Sequence, residues 1–245
     1  MIEKQSLPSA PILIESIRSI GYSFETAIAD LIDNSISAKA TRIDILSIPN
    51  EEPYIIIFDN GNGMNKVELE EAMRLGSKNP NEVREENDLG RFGLGLKSAS
   101  LSQCRNLTVV SKKDGKLSAF SWNLDYVIER NSWSILEYSE EEIMQLENIE
   151  LFNDVETGTY VLLKKFDKIQ ASTLEINKTI TEKMNSAIDH LALVFHRYLD
   201  DGVEIYVNNR KIESIDPFLT KNKATQAKRT QEIKIGESII KVKPY

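Results

Sequence analysis

The chain has 245 residues, 41% of them hydrophobic, a formal charge of −8 and one cysteine. That is enough apolar material for a substantial core, or for one large domain and the start of another, while Cys104 alone excludes an internal disulfide and reads as a small buried hydrophobe. The acidic balance argues against strong nonspecific nucleic-acid binding, and Glu15 and Arg18 interrupt the early apolar run 11 to 20, which is therefore neither a signal-peptide core nor a membrane span.

A helix is predicted near 11 to 20 and a second from Phe24 to about 38. In the latter, FETAIADLIDNSISAKA, about 100° per residue sets Phe24, Ala27, Ile28, Leu31, Ile32 and Ser35 on one side. Asp30 and Asn34 lie roughly 40° apart on one border of that stripe, and Asp33 points away from it. A carboxylate and a carboxamide one turn apart can take a proton from water and offer an oxygen to a hard cation such as Mg²⁺. The polar edge of an ordinary amphipathic helix has the same pattern. Glu25 falls on the opposite border and reads as structural.

Strands are predicted at 41 to 48 and 54 to 59, then a helix at 66 to 75. The second strand opens YIIIFDNGNGM, whose apolar run stops at Asp59 before Gly61 and Gly63. A carboxylate there can accept from the exocyclic amine of a purine, with the glycines letting backbone approach the ring; a plain turn after a strand uses the same residues. Residues 76 to 90 are polar with few apolar anchors and are expected to be mobile without ligand. Next, DLGRFGLGLKSAS carries Gly90, Gly93 and Gly95 ahead of a small-residue helix. Glycine-rich backbone, a helix N-terminus and Lys97 suit a phosphate, although the run is neither a Walker loop nor a dinucleotide fingerprint.

Strands at 106 to 111 and 116 to 122 flank the hairpin signal Lys113-Asp114-Gly115, and strands at 133 to 138 and 159 to 166 complete an antiparallel run with helices on one face. Residues 140 to 151 read as a surface helix or acidic insertion, and 172 to 199 as one long amphipathic helix. His190 and His196 are off metal spacing and read as structural. A strand VEIYV, a turn at Asn208-Asn209, a second strand to Ile215 and two hairpin-like strands about Gly236 follow, with Lys221 to Arg229 as a solvated basic loop.

Together these motifs resemble the GHKL superfamily of ATPases: gyrase B subunits, Hsp-type chaperones, histidine kinases and MutL-like repair proteins. Asp30 to Asn34 is similar to its helix motif, Asp59 to Gly63 to its adenine motif, Gly90 to Lys97 to its lid glycines and Thr157-Gly158-Thr159 to its last motif. Within the superfamily the ADLIDNS and GRFGLGLKSAS wording looks most like the Microrchidia (MORC) type and its bacterial relatives. The resemblance implies an α+β fold, a two-layer α/β sandwich of Bergerat type with a mixed, largely antiparallel sheet over residues 1–170, then a transducer-like second domain begun at 171–245. It further implies that the chain is a fragment of a longer protein or an unusually short member.

By the same resemblance the ligands are ATP and Mg²⁺. Asp59 would hold adenine with Thr159 supporting it, Gly61 and Gly63 would line the base, Met64 would pack on the ring and Ala38 would lie against the pocket. Asn34 would ligate Mg²⁺, and Gly90, Arg91, Phe92, Gly93, Leu94, Gly95, Leu96 and Lys97 would cradle the phosphates. Asp30 would activate water. Most hydrolysing members carry Glu there, so this base is one methylene shorter and turnover is expected to be weak. ATP would order the lid and join two protomers in a clamp, with a DNA or protein client met through regions beyond this chain. The location is expected to be cytoplasmic, or nuclear in a eukaryote. The rival readings are a histidine kinase, whose histidine-bearing helix is missing from the roughly two dozen residues before Phe24, and a nucleotide-binding module without turnover.

Overall fold

The computed structural model describes residues 8–19, 21–76, 95–173, 175–226, 228–236 and 238–244. Helix α1 (Ala10–Arg18) leads to α2 (Phe24–Ser37), which starts where the Ser23 side chain accepts from the Thr26 N–H at 3.2 Å. Antiparallel β1 (Arg42–Ile48) and β2 (Tyr54–Asp59) precede α3 (Lys66–Met73), opened by an Asn65–Glu68 capping box. Then come α4 (Gly95–Gln103), β3 (Asn106–Lys113), β4 (Lys116–Asn123), α5 (Leu124–Arg130), β5 (Leu136–Glu137), α6 (Glu140–Ile143), a 3₁₀ turn (Ile149–Asp154) and β6 (Gly158–Lys164). After α7 (Asp167–Ser172), α8 (Ile176–Val194) and α9 (His196–Asp200), strands β7 (Glu204–Val207) and β8 (Arg210–Lys211) end the main body, and β9 (Gln231–Ile235) and β10 (Ser238–Val242) form a separate hairpin.

Among the described residues the main sheet has eight strands in the order β5-β4-β3-β6-β2-β1-β7-β8, antiparallel throughout except where β7 runs parallel to β1. This is the mixed, largely antiparallel α+β sheet expected. Strand alternation separates two apolar faces. On one, the cross-strand row Ile45, Ile57, Val161, Val109 and Phe120 lies under the apolar stripe of α2. Ile28 and Ile32 of that stripe are fully buried, each stabilising by roughly 1.5–3 kcal/mol relative to exposure.

The second face is covered too, by the segment expected to be a surface helix or acidic insertion. Ile143, Ile149 and Phe152, three apolar residues in the acidic segment after β5, pack on Phe58, Val110 and Tyr160. Phe152 meets Phe58 edge to face with ring centroids 5.2 Å apart. The helix expected over 172 to 199 is divided: its backbone leaves helical geometry at Phe195, beside a His196 ring nitrogen bonded to the Leu193 carbonyl. The strand expected at 133 to 138 is reduced to two residues, and α5 forms where none was expected because Asn123 caps it. Strand β7 joins the main sheet and α8 packs on α2, so residues on both sides of 170 share one core.

Candidate functional site

One polar row crosses the helix-facing side of the sheet at the end of its apolar floor. Asp59 on β2 pairs with Thr159 on β6, which pairs with Ser111 on β3, so the three side chains share a face. Asp59 is 4% exposed. Its Oδ2 accepts from Ser35 Oγ at 2.8 Å, tying the strand end to α2, and its Oδ1 accepts from the Gly61 N–H at 2.9 Å. Burial raises this carboxyl above its ordinary value, against the hydrogen bonds from Gly61, Ser35 and the Thr159 backbone.

The loop after Asp59 is held from every side. Asn60 Oδ1 accepts from the N–H groups of Thr41 and Arg42, each at 2.9 Å, and the Asn62 N–H donates to the Ala38 carbonyl at 2.9 Å. Thr157 Oγ1 donates to the Gly61 carbonyl at 2.7 Å, and the Met64 N–H donates to Ser111 Oγ at 2.8 Å. The glycines serve this packing. A Cβ on Gly61 would lie 2.8 Å from the Ala38 oxygen, and one on Gly63, whose φ is +62°, would lie 2.1 Å from the Lys112 oxygen.

On α2, Asp30 is half-buried and Asn34 exposed. Asn34 Nδ2 donates to the Asp30 carbonyl at 2.8 Å, which commits the amide nitrogen and leaves the oxygen as the group suited to a hard cation. Tyr22 stands beside Asp30: burial raises its phenol, opposed by Ser98 and assisted by the Asp30 carboxylate. The Asp33 carboxyl is also raised, first by burial and then by Asp30. Glu25 sits in the first turn of α2, its carboxyl held low chiefly by its own backbone N–H and further by Ser23, Lys183 and His190.

Gly90, Arg91, Phe92, Gly93 and Leu94 lie outside the described residues. Gly95 begins α4, Leu96 packs on the core and Lys97 is 1% exposed. Lys97 Nζ donates to the carbonyls of Ala72 at 2.7 Å and Arg74 at 2.8 Å, so here the cation closes the C-terminal end of α3.

Thus α2, the 59–64 loop and β6 bring together Asp30, Asn34, Ala38, Asp59, Met64 and Thr159. Sequence reasoning passed over Ser35, Ser111 and Tyr22. The first two carried a signal: each is a hydroxyl at a position whose period belongs to an apolar face.

The family model for histidine kinase-, DNA gyrase B- and HSP90-like ATPases matches residues 22–159, from Tyr22 through Thr159. The chain belongs to this ATPase family. Among relatives, ATPase MORC2B of Mus musculus is 35% identical over 96 residues, 38% of this chain and 9% of that protein. ATPase morc-1 of Caenorhabditis elegans is 38% identical over 96 residues, 38% of this chain and 11% of its own length. The DNA mismatch repair protein MutL of Nostoc punctiforme is 30% identical over 127 residues, 50% of this chain and 21% of MutL. The aligned part therefore spans only a small share of each relative. Among the described residues no helix of this ATPase-family chain is long and apolar enough to cross a membrane.

Proposed function

We propose that the chain binds ATP with Mg²⁺ in the cleft framed by α2, the 59–64 loop and β6, hydrolyses it slowly, and uses nucleotide state to bring two protomers together as a clamp. The observation that carries this reading is the buried Asp59 carboxylate, fixed by Ser35 and Gly61 on the same helix and loop that present Asp30 and Asn34. Asp59 would accept from the adenine amine with Thr159 beside it, and Met64 would lie against the ring. Asn34 Oδ1 would help to hold Mg²⁺, which when bound neutralises phosphate charge. Asp30 would take the proton from the attacking water. The 76 to 90 segment is proposed as the lid, with Gly90 to Lys97 supplying phosphate contacts, and any DNA or protein client would be met elsewhere in a longer protein.

Asp59→Asn replaces an acceptor by a group that can turn a donor toward the purine amine; losing a charge-assisted bond worth roughly 1.5–3 kcal/mol lowers affinity about ten- to a hundredfold. Calorimetric titration with ATP of the folded variant measures this, and wild-type affinity would remove Asp59 from the site. Asp30→Asn should retain ATP and lose phosphate release by about 10²- to 10⁴-fold. The shorter carboxylate at this position favours one second reading, a module that holds nucleotide without turnover. Wild-type chain that binds ATP yet releases no phosphate would establish it. A non-hydrolysable ATP analogue, but not ADP, should double the mass by light scattering; equal mass with both would end the clamp proposal.

A further inference from the structure

Ser111 is fully buried on β3 and touches three parts of the site at once. Its Oγ lies 2.9 Å from the Gly158 carbonyl, 2.8 Å from the Met64 N–H and 3.3 Å from Thr159 Oγ1. A serine hydroxyl has one proton and two acceptor lone pairs. The Gly158 carbonyl can only accept, so the Ser111 proton goes there. Both remaining bonds must then run toward Ser111, and Thr159 is the donor in the hydroxyl pair. Its own proton is spent, and what the hydroxyl of half-exposed Thr159 presents beside Asp59 is a lone pair. Asp59, receiving Ser35 Oγ and the Gly61 N–H, presents oxygen as well.

Resting on the nucleotide reading above, we propose that Ser111 is a positioning residue that selects the base: by holding the Thr159 proton it makes the floor of the pocket acceptor-only, favouring a purine with an amine at position six over one with an oxygen there. An acceptor brought against two acceptors loses a hydrogen bond and meets repulsion. Releasing the Thr159 hydroxyl would let it rotate and donate to such an oxygen, so the penalty falls without any change in the residues that line the base.

The test compares ATP with 6-methoxypurine riboside triphosphate, which keeps N1 an acceptor and replaces the amine by an acceptor oxygen. The affinity ratio of the two is measured by calorimetry in wild type, Ser111→Ala, Thr159→Val and the double variant. Ser111→Ala also takes the acceptor from the Met64 N–H, but that loss falls on both nucleotides and cancels in the ratio. The ratio should narrow roughly three- to tenfold in each single variant, and the double variant should go no further than Thr159→Val alone, because both act through one hydroxyl. Ser111→Ala that weakens both nucleotides equally would reduce Ser111 to a structural role and overturn the inference while leaving the ATP reading intact. If Ser111→Ala does not fold, Thr159→Val decides alone, an unchanged ratio overturning the inference. Wild type that binds neither nucleotide would overturn the ATP reading and this inference together.

Discussion

Asp59 is the residue on which solution pH should act most directly. Burial lifts its pKa in the folded chain above the unfolded value, so the native state holds this proton more tightly. The stability it contributes is present below the ordinary carboxylate value and is lost as pH rises through the raised one. Nucleotide binding has the opposite sign, because the purine amine needs the ionised acceptor. As pH rises from the ordinary carboxylate value through the raised one, then, ATP affinity should climb while the melting temperature of the free protein loses the contribution from Asp59. Paired titrations and melts of wild type and Asp59→Asn isolate the effect: the variant should flatten the affinity profile, and an equally steep profile would place the titrating group elsewhere.

Among the elements, the 59–64 loop and α4 pose opposite demands on glycine. Gly63 combines a positive φ with a would-be Cβ 2.1 Å from the Lys112 oxygen, whereas a Cβ on Gly95 has no neighbour within 4 Å among the described residues. Gly63→Ala should cost about 2 kcal/mol or more, while Gly95→Ala at the start of α4 should be neutral or slightly stabilising. Denaturant melts of the two check this, and comparable losses would contradict it. Helix α1 depends on Arg18, 2% exposed, whose Nε donates to the Leu101 carbonyl at 2.7 Å and whose fork grips Asp167. Arg18→Met strands that carboxylate; Arg105 also reaches Asp167 at 3.3 Å, so the cost should be about 2–3 kcal/mol rather than the most seen for buried pairs. It should appear as lost hydrogen-exchange protection over residues 10–18.

These elements also mark how far the sequence could be read. Helix α2 and strand β2 were legible because period and punctuation agree: an apolar stripe after Ser23, an apolar run ending at Asp59. The candidate site residues Asp30, Asn34 and Asp59 followed from those two. The breaking of the helix at Phe195 was not legible, since Phe195 and Tyr198 continue the apolar period straight through it. Nor was the partner of Lys97, which depends on where α3 ends against α4. Ser111 was hidden for a similar reason, because its importance lies in cross-strand register rather than in local pattern.

At the scale of the whole molecule, β1 is an interior strand only because β7, far along the chain, pairs with it from Arg42↔Glu204 to Ile45↔Val207. A fragment of residues 1–170 would leave β1 as an open edge and uncover the face of α2 that α8 occupies. Such a fragment should aggregate, or bind a hydrophobic dye far more than the full chain; a monomeric, cooperatively melting fragment would refute this. The same pairing has a consequence in time. A ribosome adds about 5–20 residues per second, so β1 emerges on the order of ten seconds before its neighbour exists. During that interval the nascent chain carries a strand sealed on one side only, by β2, and its other edge is open to pairing with another chain.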